Sequence, residues 1–265
     1  MEPLAPPGTP EAAPDAYRGD TASTVYTTVF GIVLAVLAVL YGTSLFLGLS
    51  ATFDPAGDAA QQLKDGAAGI SADDIWVESA ANLLLLGLIP VAWIYGTRVV
   101  RGAGTLRYLH LERTADAWKD LRKGVGLGLL MFLAIIVLSV LQLAITGDLG
   151  SLLDENTTAD SPLVEAFARE MTWPLALFIA FVAGTAEEVF FRGVLQRWIG
   201  WWGQAILFGL THAGYGTVAQ IVVPFGIGLL FGWMMRRGHS LYLLMAAHFT
   251  YDFVQLALLN GTSGS

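Results

Sequence analysis

Five acidic and imidazole side chains lie inside strongly apolar stretches of the chain. They are Glu187, Glu188, His212, His248 and Asp252. A charge at mid-bilayer costs roughly 2.5–3.5 kcal/mol on insertion scales, so ionisable residues found there are candidates for function. A carboxylate beside imidazoles in a partly dry cavity can activate water as a general base, and a further donor can stabilise an oxyanion. The same set could bind a divalent metal, because one carboxylate and two imidazoles form a hydrolytic zinc arrangement. The residue types leave both chemistries open.

Helical spacing separates the roles of these side chains. Glu188 and Arg192 are four residues apart, so we expect them to share a helix face and form an ion pair that neutralises both. Glu187 points about 100° away from that face and stays available for chemistry. His248 and Asp252 are also four residues apart and can act as a unit.

The depths of three side chains in the membrane agree. Glu187 lies 13 residues before a predicted turn at Gly200, and His212 lies 12 residues after it. At 1.5 Å per residue, both are roughly 18–20 Å from that turn. His248 lies 10 residues past Gly238 in the next turn on the same side, which is about 15 Å. Three stretches therefore deliver polar groups to one level.

The elements that carry these groups are membrane-spanning helices. The chain has 265 residues, of which 55% are hydrophobic and 14% charged, with a mean hydropathy of +0.60. Apolar stretches near the roughly 20 residues that a spanning helix needs predict an all-α, polytopic membrane protein of about seven (six to eight) helices. The stretches are Val25–Leu49, Ser79–Tyr95, Gly124–Thr146, Trp173–Val194, Ile199–Ala213, Val218–Met235 and Leu241–Leu259.

Lysine and arginine predict the orientation of these helices. The segment Gly96–Lys123 holds seven of them, whereas Ser50–Glu78 and Gly147–Thr172 hold one each and six acidic residues each. By the positive-inside rule, the basic segment is cytoplasmic. We therefore expect a multi-pass plasma-membrane protein with its N-terminus in the cytoplasm and its C-terminus outside.

Composition bounds the remaining organisation. Residues 1–22, rich in Pro, Ala and acids, are expected to form a disordered tail, and residues 23–265 a single membrane domain. The net charge of −8 argues against nucleic acid as a partner, and the absence of cysteine excludes thiol catalysis. Eleven Arg against three Lys, with acid-rich loops, is a balance that we associate with a halophile.

Three short motifs occur in order within residues 173–259. They are EExxxR at Glu187–Arg192, FxxxH at Phe208–His212 and HxxxD at His248–Asp252. In order and spacing they resemble the CPBP family of intramembrane proteases, which includes the type II CAAX prenyl endopeptidases. The resemblance covers about a third of the chain. It implies an all-helical fold with a conical cavity open to the cytoplasmic side and to lipid.

The resemblance also implies roles for the motif residues. Glu187 and His212 would activate the attacking water, while His248 and Asp252 would stabilise the oxyanion. Prenyl endopeptidases commonly carry Asn where this chain has Asp252, and an ionised aspartate cannot donate a hydrogen bond. Asp252 would then be protonated, orient His248 or bind metal, and specificity for CAAX substrates is in doubt.

The other motif residues, Glu188, Arg192 and Phe208, are expected to be structural or to position the reacting groups. A zinc-dependent reaction and a metal-free glutamate mechanism are equally open. If Zn²⁺ is bound, its expected ligands are Glu187, His212 and His248. Other polar residues in the apolar stretches, among them Gln220 and Gln255, are interpreted as packing contacts.

The sequence therefore predicts an endopeptidase that hydrolyses a peptide bond in a membrane-associated protein or peptide. Its expected partners are the lipid bilayer and a membrane-embedded or lipid-modified substrate, including a prenylated CAAX-type one. Two alternatives remain open: a non-catalytic membrane scaffold and a proton-coupled transporter, since either could bury the same polar cluster.

Overall fold

A computed structural model describes residues 21–97, 103–111, 116–146 and 161–262 of the chain. In these ranges every regular element is helical, which confirms the all-α prediction. The expected tail at residues 1–22 lies outside the described residues except for its last two positions, which begin the first helix.

The helices are numbered in chain order. They are α1 (Thr21–Phe53), α2 (Asp58–Ala68), α3 (Ala72–Asn82), α4 (Ile89–Thr97), α5 (Ala103–Tyr108), α6 (Ala117–Thr146), α7 (Pro162–Glu170), α8 (Trp173–Val182), α9 (Gln196–Thr211), α10 (Ala219–Arg236) and α11 (Leu241–Thr262). The π-helical segment Leu83–Leu88 joins α3 to α4, and the π-helical segments Ala183–Glu187 and Val189–Leu195 join α8 to α9. A 3₁₀ turn, Ala213–Tyr215, follows α9.

Six continuous helical stretches among the described residues are long and apolar enough to cross a membrane. One of them, Trp173–Tyr215, has 43 residues and would be about 65 Å long if straight, twice the thickness of the hydrocarbon core. It reverses at Gly200, whose φ of +76° is readily adopted only by glycine. The reversal brings the rings of Phe191 and Phe208 to 4.9 Å. The predicted fourth and fifth spans are therefore two arms of one stretch, and polytopic membrane architecture is confirmed.

One end of the bundle, the basic end, gathers residues 103–111, 116–123, 195–202 and 236–242. There the Arg197 guanidinium donates to the carbonyl of Tyr108 and lies over its ring. The Tyr242 hydroxyl donates to the Leu111 carbonyl at 3.1 Å, and the Ser240 hydroxyl donates to Asp120 at 2.6 Å. The basic segment therefore packs directly against the turn that follows α10.

The opposite end, the acidic end, consists of residues 54–75, 161–173 and 215–220. The described residues of both acid-rich segments are largely helical, whereas the sequence predicts loops there. Ser71 and Asp74 form a reciprocal capping box that starts α3, and the Ser161 hydroxyl caps α7. Arg169 joins the two segments by donating to the carbonyls of Ala67 and Ile70 at 3.3 and 3.1 Å. Because α3 begins at this capping box, Glu78 lies within the helix.

Small residues let the site-bearing helices approach closely. Gly184 lies against α11, where an added Cβ would be only 2.8 Å from the backbone nitrogen of Phe249. Gly124 and Gly128 of α6 lie closer still to the backbone of α11, against the carbonyl oxygens of Leu243 and Ala247. Close backbone approach at small residues is the usual way in which membrane helices gain packing energy. It fixes α11 between α6 and the arm that carries Glu187.

Candidate active site

The imidazole of His248 lies between two adjacent carboxylates. Its Nδ1 is 2.8 Å from Oε1 of Glu188, and its Nε2 is 3.9 Å from Oε2 of Glu187. Neighbouring residues of a regular α-helix point about 100° apart. Here a π-helical segment ends at Glu187 and another begins at Val189, and they change the direction of the side chains so that both carboxylates face one imidazole. Such segments are frequent at functional sites. The contact between Glu188 and His248 was not anticipated from the sequence.

Glu188 also binds Arg192, as the spacing predicted. Oε1 of Glu188 accepts from Nη1 of Arg192 at 2.8 Å, and neither side chain has any exposed surface. The guanidinium carbon lies 4.4 Å from the ring centroid of Phe208 and 5.3 Å from that of Phe231. Aromatic faces are favourable surroundings for a desolvated guanidinium. One carboxylate thus holds both a buried cation and the imidazole of His248.

Asp252 completes the surroundings of His248. Its Oδ2 is 3.4 Å from Nε2 of His248, which confirms that the two residues form a unit. The hydrogen-bond network assigns a proton to Nδ1 of His248, because Glu188 can only accept when ionised. Nε2 is then the nitrogen that faces Glu187 and Asp252. These two carboxylates keep 19% and 21% of their side-chain surface exposed, against 5% for His248.

His212 occupies the end of α9, where the helix stops inside the bundle. Its Nδ1 lies 2.8 Å from the carbonyl oxygen of Phe208, so the network assigns the proton to Nδ1 and leaves Nε2 with a lone pair. Its ring stacks on Tyr215 at 6.3 Å and contacts Phe208 edge-on at 5.0 Å. Phe208 also contacts His248 at 5.8 Å, which confirms the predicted aromatic wall and extends it between both imidazoles.

A cavity of about 480 Å³ brings together the four residues for which catalysis was predicted, Glu187, His212, His248 and Asp252. Gln220 and Gln255, which the sequence analysis interprets as packing contacts, also line it. Glu78, Tyr215 and Tyr251 add polar groups that the sequence analysis missed. The sequence does contain a signal for Glu78. The capping box at Ser71 and Asp74 starts α3 inside the acidic segment, so Glu78 belongs to a helix and not to a loop.

The cavity extends from the polar cluster toward the acidic end. Ile75 and Glu78 of α3, Val164 and Phe167 of α7, and Leu259 near the end of α11 form its outer wall. The basic end lies on the other side of the cluster. The sequence predicts a cytoplasmic basic segment, and the resemblance implies a cavity open to the cytoplasm. Because the cavity and the basic end lie on opposite sides of the polar cluster, only one of these two expectations can hold.

A metal ion at this site would need ligands from the same side chains. Oε2 of Glu187 is buried and has no hydrogen-bond partner among the described residues. However, the described part of the chain contains no group of three or more His, Cys, Asp or Glu side chains placed to hold a metal. The arrangement therefore does not fit a three-ligand zinc site, and Zn²⁺ binding stays a prediction.

Comparison with known proteins agrees with the motifs. Residues 169–254 match the family described as type II CAAX prenyl endopeptidase Rce1-like, which confirms the resemblance over that segment and indicates a protease at the family level. The chain is also similar to the "Uncharacterized protein YpbD" of Bacillus subtilis (strain 168), with 33% identity over 86 residues. That alignment covers 31% of this chain and 43% of YpbD, less than half of its length. No solved structure matches the chain.

Proposed function

We propose that this chain is an intramembrane endopeptidase that hydrolyses a peptide bond of a membrane-associated substrate, with Glu187 as the general base. One observation carries the proposal. The Glu187 carboxylate has an unbonded oxygen, lies 3.9 Å from Nε2 of His248 and faces a cavity that it shares with His212. This is the arrangement that hydrolysis by activated water requires.

The first step is the attack of water on the carbonyl carbon of the scissile amide. Glu187 takes a proton from the water, and the oxygen of that water bonds to the carbonyl carbon. Nε2 of His212 accepts the second hydrogen of the water in a hydrogen bond and so orients it. Positioned general bases typically contribute 10²–10⁴-fold to such steps.

The second step is collapse of the tetrahedral intermediate. His248, protonated at Nε2 as well as Nδ1, donates to the oxyanion, while Asp252 and Glu188 offset the charge of the ring. The proton held by Glu187 passes to the amide nitrogen as the C–N bond breaks. The products are an amine and a carboxylic acid, which keeps the second hydrogen of the water and ionises on release.

Glu188 and Arg192 act as positioning residues in this proposal. Their buried pair fixes the carboxylate that holds Nδ1 of His248, so the other ring nitrogen keeps its direction toward the cavity. Preorganised donors lower the barrier most when they need no rearrangement during the reaction.

The test compares the purified parent protein with Glu187→Gln in nanodiscs. Each is incubated with prenylated and unprenylated membrane-associated peptides in H₂¹⁸O, and the products are mapped by mass spectrometry. We expect the parent to release a product whose new carboxylate carries ¹⁸O, and the variant to be about 10²–10⁴-fold slower.

Glu170→Gln is the matched control, since Glu170 is at the acidic end, paired with Arg169 at 3.0 Å and outside the cavity. It removes the same charge and should keep the parent rate. Equal rates for the parent and Glu187→Gln would refute the proposed role of this carboxylate. Substrate flux that depends on Glu187 without any cleavage would favour the transporter.

A further inference from the structure

We infer that the cavity opens on the extracytoplasmic face of the membrane, so that the substrate enters from outside as an extended peptide segment without a prenyl anchor in the inner leaflet. The substrate class rests on the proposed protease function, whereas the direction of the opening does not. Two independent features, the distribution of basic residues and the shape of the cavity, carry the inference.

The distribution of basic residues orients the bundle. By sequence, the segments that connect helices at the basic end hold ten Lys and Arg residues, against two, Lys64 and Arg169, at the acidic end. Short connecting segments with an excess of Lys and Arg stay in the cytoplasm. The contacts of Arg197 with Tyr108 and of Tyr242 with Leu111 show that the connecting segments of the basic end meet on one side of the bundle.

The cavity is closed toward that cytoplasmic side. Between the polar cluster and the basic end lie Arg192, Val194, Phe231 and Leu244, each with at most 1% of its surface exposed. They pack into a floor beneath His248. The outer wall instead reaches α7 and the first turns of α3, which belong to the acidic end. Access therefore runs from the acidic end, which the charge distribution places outside.

The depth of the reacting groups limits what can enter. Glu187 lies 14 residues beyond Trp173, at which α8 begins near the acidic end, which corresponds to about 21 Å along a regular helix. An extended chain rises about 3.3 Å per residue, so roughly six unfolded residues span this depth. A folded domain is too large for a cavity of about 480 Å³. The substrate is thus a flexible segment, such as the outer end of a membrane helix or a released peptide.

Single cysteines test the direction of the opening, because the chain has none of its own. Gln62→Cys reports on the exposed surface of α2 at the acidic end, Gln220→Cys on the cavity wall, and His239→Cys on the exposed turn at the basic end. Intact cells that express each variant are treated with a membrane-impermeant maleimide, before and after permeabilisation. We expect Gln62→Cys and Gln220→Cys to be labelled in intact cells, and His239→Cys to be labelled only after permeabilisation.

Three results would overturn the inference. The first is labelling of His239→Cys in intact cells, and the second is failure of Gln62→Cys to be labelled in intact cells. The third is failure of Gln220→Cys to be labelled in intact cells in which Gln62→Cys is labelled. The labelling needs no catalysis, so it can succeed even when no peptide is cleaved. Conversely, equal cleavage rates for the parent and Glu187→Gln would contradict the proposed function but would not change the labelling result.

Discussion

Gly184 sets the distance between the two helices that carry the reacting groups, so adding one methyl group there should disturb the site without removing any polar atom. A Cβ at this position would lie 2.8 Å from the nitrogen of Phe249, 2.9 Å from the oxygen of Met245 and 2.9 Å from Cβ of Phe249. Two of these three atoms belong to the backbone of α11, so side-chain rotation cannot relieve the overlap. In Gly184→Ala, α11 must move away from Glu187.

The size of that movement follows from the contact distances. Ordinary contacts of a Cβ begin at 3.4 Å, so α11 must retreat by about 0.6 Å, taking His248 with it. A misplacement of about 1 Å costs roughly 10²-fold in rate. We therefore expect Gly184→Ala to lower kcat on the order of 10- to 100-fold. Overpacking of this kind also costs about 1–3 kcal/mol in the free energy of unfolding.

The assay is the initial rate of peptide cleavage by the purified variant in nanodiscs, measured over a range of substrate concentrations, with thermal unfolding recorded in parallel. Gly226→Ala in α10 is the matched control, because nothing lies within 4 Å of its added Cβ. It should keep the parent kcat. KM should change little in Gly184→Ala, since the outer wall of the cavity is untouched.

A folded Gly184→Ala protein with the parent kcat would refute the link between this close approach and the geometry of Glu187 and His248. An equal loss in Gly226→Ala would refute it as well, because the loss would then reflect a general sensitivity of the bundle to Gly→Ala changes.

Three further outcomes are expected. Glu188→Gln leaves the fully buried guanidinium of Arg192 uncompensated, which should lower the free energy of unfolding in detergent by about 3–5 kcal/mol; an unchanged unfolding midpoint would contradict the pairing. Asp252→Asn keeps a polar group beside His248, where Glu188 still offsets the charge of the ring, and should retain most of the activity, whereas Asp252→Ala should lose about 10²–10³-fold; an equal loss in both variants would show that the charge of Asp252 is essential. Treatment with a zinc chelator should leave the cleavage rate unchanged, since the described residues offer no three-ligand group; inhibition that added Zn²⁺ reverses would prove that expectation wrong.

The parts of the site that depend on distance along a helix could be predicted from the sequence. The fixed rise per residue placed Glu187, His212 and His248 at one level, and the four-residue spacing paired Glu188 with Arg192 and His248 with Asp252. These relations are local, so they hold whatever the neighbouring helices do.

The parts that depend on how helices are rotated against one another could not be predicted. The hydrogen bond from His248 to Glu188 joins residues 60 positions apart. The π-helical segments on either side of Glu188 change the direction of the side chains without an obvious signal in the sequence. The end of the bundle at which the cavity opens could not be predicted either, because it depends on how α7 packs against α3 and α11 at the acidic end.

The pairing of Glu188 with Arg192 bears on how the protein is made. Both residues lie in one arm of the bundle, four positions apart, so their charges can cancel within that arm before α11 packs against it. The pair therefore enters the membrane without net charge. When α11 packs against the arm, His248 finds a carboxylate already held in place, and this contact completes the site.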